Sequence, residues 1–195
     1  MFKNIKLLRK LKKDSYEIEY SQEGKINREN EAVVSIKSKD ESEIISKFST
    51  EKDLTITPEL SSYLKESADD IPVKNPIKIE INTPKDLEIE KQKKVKLALR
   101  NHFTKKVSDI NEKLDENEVE CYILVLLSIV FLLAYVLVKI HMPIEILSEI
   151  LLIVAWVFVW RMTESIVFVR KEMRREAVKY YRLLTAKIEF KTKEK

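Results

Sequence analysis

The sequence predicts a membrane α-helical hairpin of two transmembrane helices, joined by a long connecting helix to a small cytoplasmic α+β domain. Three observations predict it. Cys121 to Val138 is eighteen residues without a charge. A few residues later, Pro143 opens a second apolar run that ends in eleven uncharged residues reaching Trp160. Outside these runs the 195-residue chain is densely charged, at 35% overall, and several short stretches alternate apolar and polar residues at period two.

The first run, at about 1.5 Å per residue, makes a helix of ~27 Å, close to the hydrocarbon thickness of a bilayer. Leu, Ile and Val occur at every phase, which suits lipid on all sides rather than a one-sided core. We bound the first transmembrane helix at 121–140 and the second at 143–165. Pro143 suits the first turn of a helix, where a missing N–H costs nothing. The loop between the helices is so short that they must be antiparallel neighbours. Seven Lys/Arg residues lie between Arg161 and Arg182, against Lys139 alone at the tip. The positive-inside rule therefore places the C-terminus, and with it the N-terminus, in the cytoplasm of a cell-membrane protein. The start MFKNIKLLRKLKK has no uninterrupted apolar core of signal-peptide length.

Residues 1–120 hold 24 basic and 25 acidic residues. Segment 1–13 places Phe2, Ile5, Leu8 and Leu11 on one helical face among basic residues: a membrane-surface helix, a helix docked on its own domain, or a frayed solvated start. Within the α+β domain, 14–83, alternation predicts strands at Tyr16–Tyr20, Ala32–Lys37, Leu54–Thr57 and Ile77–Asn82. A helix is predicted over Pro58–Ala68 with Thr57 as N-cap, and a shorter one over Asp40–Phe48. Thr83 followed by Pro84 reads as the N-cap of the connecting helix, 84–120. Along it Leu99, Phe103, Val107, Ile110 and Leu114 form one apolar stripe that needs a partner, from the tail of this chain or from another subunit. The tail, 166–195, predicts a basic helix over Arg170–Thr185 and then a strand over 186–191 that adds to the N-terminal sheet.

Composition excludes several classes. One cysteine, Cys121, allows no internal disulfide. One glycine, Gly24, allows no Gly-rich phosphate loop. His102 and His141 lack neighbours at metal-ligand spacing. A net charge of +4 gives no argument for nucleic-acid binding. No enzyme signature and no cofactor motif is present. The residues of interest form a stripe on the second apolar helix: Glu145, Glu149, Ile153, Trp156, Trp160 and Glu164 share one face. In a homo-oligomer, rings of Glu145 and Glu149 would make an acidic entrance for cations. The plainer reading, which we prefer, makes them rim residues near water at a helix N-terminus. Arg161 and Glu164 are spaced for an i,i+3 ion pair at the inner interface, able to lock this helix to its neighbour. The expected partners are the lipid bilayer and either a second copy or another protein at the cytoplasmic face.

Glu149, the Trp156…Trp160…Glu164 spacing, the basic helix bearing Tyr180-Tyr181 and the short closing strand together resemble a group of uncharacterised prokaryotic two-span membrane proteins. The resemblance covers about a quarter of the chain and implies membrane placement, not an activity. The layout of soluble domain, long helix, span, tiny loop and acid-led second span is also similar to the pore subunit of the mitochondrial calcium uniporter. That family carries a Trp-Asp…Glu-Pro motif. This chain has Pro143-Ile-Glu-Ile-Leu-Ser-Glu149 instead, so the likeness implies architecture and not calcium selectivity.

Overall fold

The computed structural model describes residues 31–50, 53–84, 86–141 and 144–192. The basic segment 1–13, the strand expected at Tyr16–Tyr20 and Pro143 lie outside them. The elements run β1 (Ala32–Lys37), a 3₁₀ turn (Glu41–Glu43), α1 (Pro58–Asp70), β2 (Ile77–Thr83), α2 (Ile89–His141), α3 (Glu145–Glu164), a π-helical turn (Ser165–Val169), α4 (Arg170–Leu184) and β3 (Lys187–Thr192). They divide into two compact units: Met1–Val107 with Val178–Lys195, and Ser108–Ala177.

The first unit is built on a three-stranded parallel sheet in the order β1-β2-β3. Ala32 pairs with Ile77, and Lys78 with Lys187. The strand expected over 186–191 is thus β3, hydrogen-bonded to β2. A parallel neighbour needs a crossover connection, and here the crossover between β2 and β3 carries the whole second unit as an insertion. The apolar side chains of the period-two pattern line one face: Ala32, Val34 and Ile36, then Ile77, Ile79 and Ile81, all buried. The unit's other buried apolar residues come from the helices, Leu60, Leu64 and Ala68 of α1, Val95, Ala98, Leu99 and Phe103 of α2, Tyr180 and Leu183 of α4, and from the connections, Ile44, Ile56 and Ile71. Phe103 and Tyr180 stack at 6.2 Å between ring centroids. The partner that the α2 stripe requires is therefore, at Phe103, the tail of the same chain. Arg182 fastens that tail, donating to the carbonyls of Ile71 (3.2 Å), Pro72 (2.9 Å) and Asn75 (2.8 Å).

Four local expectations are corrected. Leu54–Thr57 is not a strand but one arm of a loop closed by isolated bridges, Ile45 to Ile56 and Thr50 to Asp53. Ser49 Oγ holds it at both the N–H and the C=O of Thr55, so hydroxyls do the work of a ladder. The helix expected at Asp40–Phe48 shortens to Glu41–Glu43, where Asp40 accepts from the Glu41 N–H. Thr57 makes no side-chain cap to α1; its carbonyl accepts from Ser61 instead. Thr83 caps nothing: it is the buried last residue of β2, paired with Thr192 of the distant C-terminal strand. The helix begins later, at Ile89, where the Gln92 side chain bonds the Leu87 carbonyl (2.8 Å).

The second unit is an antiparallel helical hairpin. Asn117 meets Ser165, Glu118 meets Arg170, and Phe131 lies against Phe158 at 5.5 Å. The least exposed side of α2 here runs Ile110, Leu114, Asn117, Cys121, Leu124, Ser128, Phe131, Tyr135, Val138. Its steps of four and three are a heptad seam, the 3.5-residue repeat of left-handed supercoiling. The facing seam on α3 is Ser148, Leu151, Ala155, Phe158, Met162, Ser165, with the same steps. The π turn then inserts one residue. Past the turn, Met173, Glu176 and Ala177 of α4 are half-buried. Helical structure is continuous from Glu145 to Leu184. Among the described residues two helices are long and apolar enough to cross a membrane.

Candidate functional site

The sequence-derived site residues all sit on α3, and the seam explains where they point. Ser148 and Ala155 take the positions facing α2, so the stripe of Glu145, Glu149, Ile153, Trp156 and Trp160 falls on the outside. Trp156 and Trp160 are 67% and 72% exposed. With Ile153, Val157, Arg161 and Glu164 they line an open outer groove. Arg161 does form the i,i+3 pair with Glu164, at 3.2 Å. It also reaches Glu120 on α2 at 3.7 Å, a tie between the two helices of the hairpin. Glu145 and Glu149 are exposed near the tip and have no ion-pair partner among the described residues.

The hairpin base holds a second group of polar residues that sequence reading did not single out. Asn117 and Ser165 are 6% and 2% exposed, and the Asn117 amide donates to the Ser165 hydroxyl. Beside them Arg170 pairs with Glu118. An amide at a seam position sets register, because any slip would bury it unpaired. The signal was present: Asn117 continues the 110, 114 spacing of the connecting-helix stripe. The spacing is hidden beyond Asn117 because the sequence there turns apolar on every face. Ser165 is also the first residue of the π turn, and the turn's extra residue is what brings the Arg170 side of α4 toward Glu118.

The first unit carries two polar clusters. On the face of the sheet opposite the isoleucines, five side chains alternate in sign: Lys187, Glu189, Lys78, Glu80, Lys191. The contacts are 3.0, 2.7, 3.5 and 2.7 Å in that order. Lys78 and Glu80, on the central strand, are each 8% exposed. Hydrogen bonds from Lys78 and then Lys187 hold the Glu189 carboxyl down at about 2. The hydrogen bond to Glu189 raises the Lys78 ammonium above 10.5. The second cluster is His102, whose ring nitrogens meet the hydroxyls of Thr55 (2.9 Å) and Ser61 (2.8 Å). Burial, and then the nearby charges of Lys106 and Lys105, push the imidazole below 6.5 and keep it neutral. A neutral ring donates through one nitrogen and accepts through the other, which two hydroxyls can satisfy. This joins the loop before α1, α1 itself and α2.

Among the described residues no group of three or more His, Cys, Asp or Glu could hold a metal ion. The fold and these sites define a class: a small parallel-sheet body interrupted by a hairpin of two helices long and apolar enough to cross a membrane. No protein-family profile, curated protein or solved structure matches the chain.

Proposed function

We propose that this is an integral membrane protein whose hairpin crosses the bilayer and carries a non-enzymatic interaction body on the cytoplasmic face, where copies associate. The observation that carries it is the surface of the hairpin. Ile123, Leu126, Val130, Leu133 and Leu137 on α2, with Ile150, Ile153 and Val157 on α3, are between 52% and 62% exposed. They lie on every side but the seam. A soluble monomer rarely exposes a continuous apolar surface of this extent, whereas lipid covers it at no cost. The basic cluster Arg170, Lys171, Arg174 and Arg175 supports a cytoplasmic base.

Extraction of native membranes with alkaline carbonate tests the reading. The chain is expected to stay in the pellet and to leave it only in detergent, and tags at both ends should be reached only after permeabilisation. Release by carbonate, or tags reached from opposite faces, overturns it. A second reading is favoured by Glu145 and Glu149 standing exposed on one outer face with Trp156 and Trp160. An assembly that turned this stripe inward would be a cation-conducting pore. Its test is a bilayer conductance that falls severalfold on Glu145→Gln or Glu149→Gln; a preparation without current removes it.

A further inference from the structure

The base of the hairpin has an acidic back and a basic back, on opposite sides of one seam. On α2, Asn117 and Leu114 face the partner helix, and Asp115 lies about half a turn away at ~100° per residue. Glu112, Asp115 and Glu116 are all exposed there, beside the exposed Val119 and Ile123 in one shallow groove. On α4, Met173 and Ala177 are half-buried, and Lys171 and Arg175 project from the far side with Arg174 next to them, all exposed. Glu172 stands on the flank of that face. Among the described residues none of these three acids and three bases makes an ion pair, although Glu118, Glu120, Arg161 and Arg170 nearer the seam all do.

The two faces also match in height. The Asn117 side chain meets Ser165 and that of Glu118 meets Arg170, and the helices run antiparallel. Stepping back along α2 to Glu116 and Glu112 therefore corresponds to stepping forward along α4 through Lys171, Arg174 and Arg175. A hairpin held in a bilayer can move only sideways relative to another copy inserted the same way. The acidic back of one then meets the basic back of the next at the same depth.

We infer that the partner at the base of the hairpin is a second copy of this chain, docked with the Glu112/Asp115/Glu116 face of its α2 against the Lys171/Arg174/Arg175 face of α4. This rests on the membrane-hairpin reading above. The contact joins unlike faces, so each copy keeps one face of each kind for further neighbours. Copies sharing one membrane orientation are related by rotation about its normal, and such contacts close into a ring. Above the charges the same contact brings Val119 and Ile123 of one copy toward the outer side of α3 on the other, so an apolar stretch continues the ionic one. Opposite charge at this point fixes which face meets which, and repels acid-to-acid and base-to-base pairing.

Charge reversal tests it, read as particle mass by light scattering on the full chain in mild detergent. The wild type should run as several copies. Glu112→Lys/Asp115→Lys/Glu116→Lys and Lys171→Glu/Arg174→Glu/Arg175→Glu should each run as single chains. The chain bearing all six reversals, and an equimolar mixture of the two triple variants, should recover assemblies. Recovery shows that the triple variants fold and that unlike faces meet. A wild type of single-chain mass, a triple variant that keeps the wild-type mass, or a six-fold variant that stays single overturns the inference. So does loss of co-purifying anionic lipid from the basic-face variant with its mass unchanged, which would assign that face to lipid headgroups. Failure of the membrane reading is seen separately, as release of the wild type by carbonate.

Discussion

In the sheet-containing unit the large side chains most completely shut from solvent are Phe103, Ile44, Leu64, Ile79, Ile81, Leu99 and Val95, with Asn75 the one polar group among them, while charged groups line the opposite face of the sheet. Among the described residues of the hairpin, apart from Ile110, those shut away are Ser148, Ala155, Asn117 and Ser165; most large aliphatics are exposed, with Leu114, Leu124, Val138 and Leu151 half-buried at the seam. The two units thus shut away different residues, mostly large apolar ones in the first and small or polar ones in the second. Water dictates the first arrangement, because removing apolar area from it stabilises the fold by about 25 cal/mol per Å². No such gain is available where the surroundings are themselves apolar. Close approach of small residues and a few buried polar contacts then hold helices together. The comparison teaches that the membrane placement proposed for the hairpin rests on the contrast between its small and polar seam and the apolar interior of the sheet unit.

The largest expected effect breaks the comparison on the water side. Phe103 has no exposed surface and stacks on Tyr180, joining α2 to α4. Phe103→Ala should destabilise the sheet unit by about 3–5 kcal/mol through lost burial and the cavity left behind. The denaturant midpoint of the unit, followed by hydrogen exchange at Ile77–Thr83 and Lys187–Thr192, should fall accordingly. Exchange at Glu145–Glu164 should not change. Equal loss in both regions would mean that the two units do not sort their interiors independently.

A smaller effect is expected in the hairpin. Ser165→Ala removes the acceptor of the Asn117 amide and leaves that amide buried and unpaired, costing about 1–2 kcal/mol. Asn117→Leu removes the polar group altogether and should leave pairing as strong or stronger while loosening the register. Disulfide trapping between cysteines placed along the two seams should therefore show one register in the wild type and several in Asn117→Leu. A single register in both would assign the alignment to the shape of the apolar seam and not to the amide.

These particular residues also show what local sequence could convey. The two long apolar helices were legible because their residues are apolar at every phase, a signal that needs no partner to be recognised. Ala32–Lys37, Ile77–Asn82 and the terminal strand were legible from period-two alternation. The pairing of Thr83 with Thr192 was not, since it joins residues from the two sides of a long insertion, and the local Thr-Pro pattern argued for a helix cap. The seam through 117, 121, 124 and 128 was masked by the same apolar excess that revealed the long apolar helix. Of the candidate site, the exposed stripe on α3 and the Arg161–Glu164 pair were readable from helical spacing. The opposed charged backs of the base were not. Their meaning depends on which side of each helix the seam occupies, and on the one-residue shift introduced by the π turn at Ser165–Val169.

The finest distinction between the units is their response to acid. Glu189 sits at about 2 when folded, against an ordinary 4.5. A carboxyl held low stabilises the fold fully above its unfolded value, and that contribution disappears as pH falls from 4.5 toward 2. Acting earlier, His102 is held below 6.5; the unfolded chain takes up its proton first, so the unit begins to weaken as pH drops under 6.5. At the alkaline end the Lys78 contribution is complete below 10.5 and is lost as pH rises through its raised folded value. The seam contact of the hairpin, an amide on a hydroxyl, does not titrate. Acidification should therefore open β2 and β3 before it opens α3, as hydrogen exchange at successive pH values would show. In Glu189→Gln the step between 4.5 and 2 should vanish while the step below 6.5 remains, and His102→Gln should do the reverse. If the Glu189→Gln chain keeps the full acid response, the alternating ladder of Lys187, Glu189, Lys78, Glu80 and Lys191 is not what makes the sheet unit the acid-sensitive half.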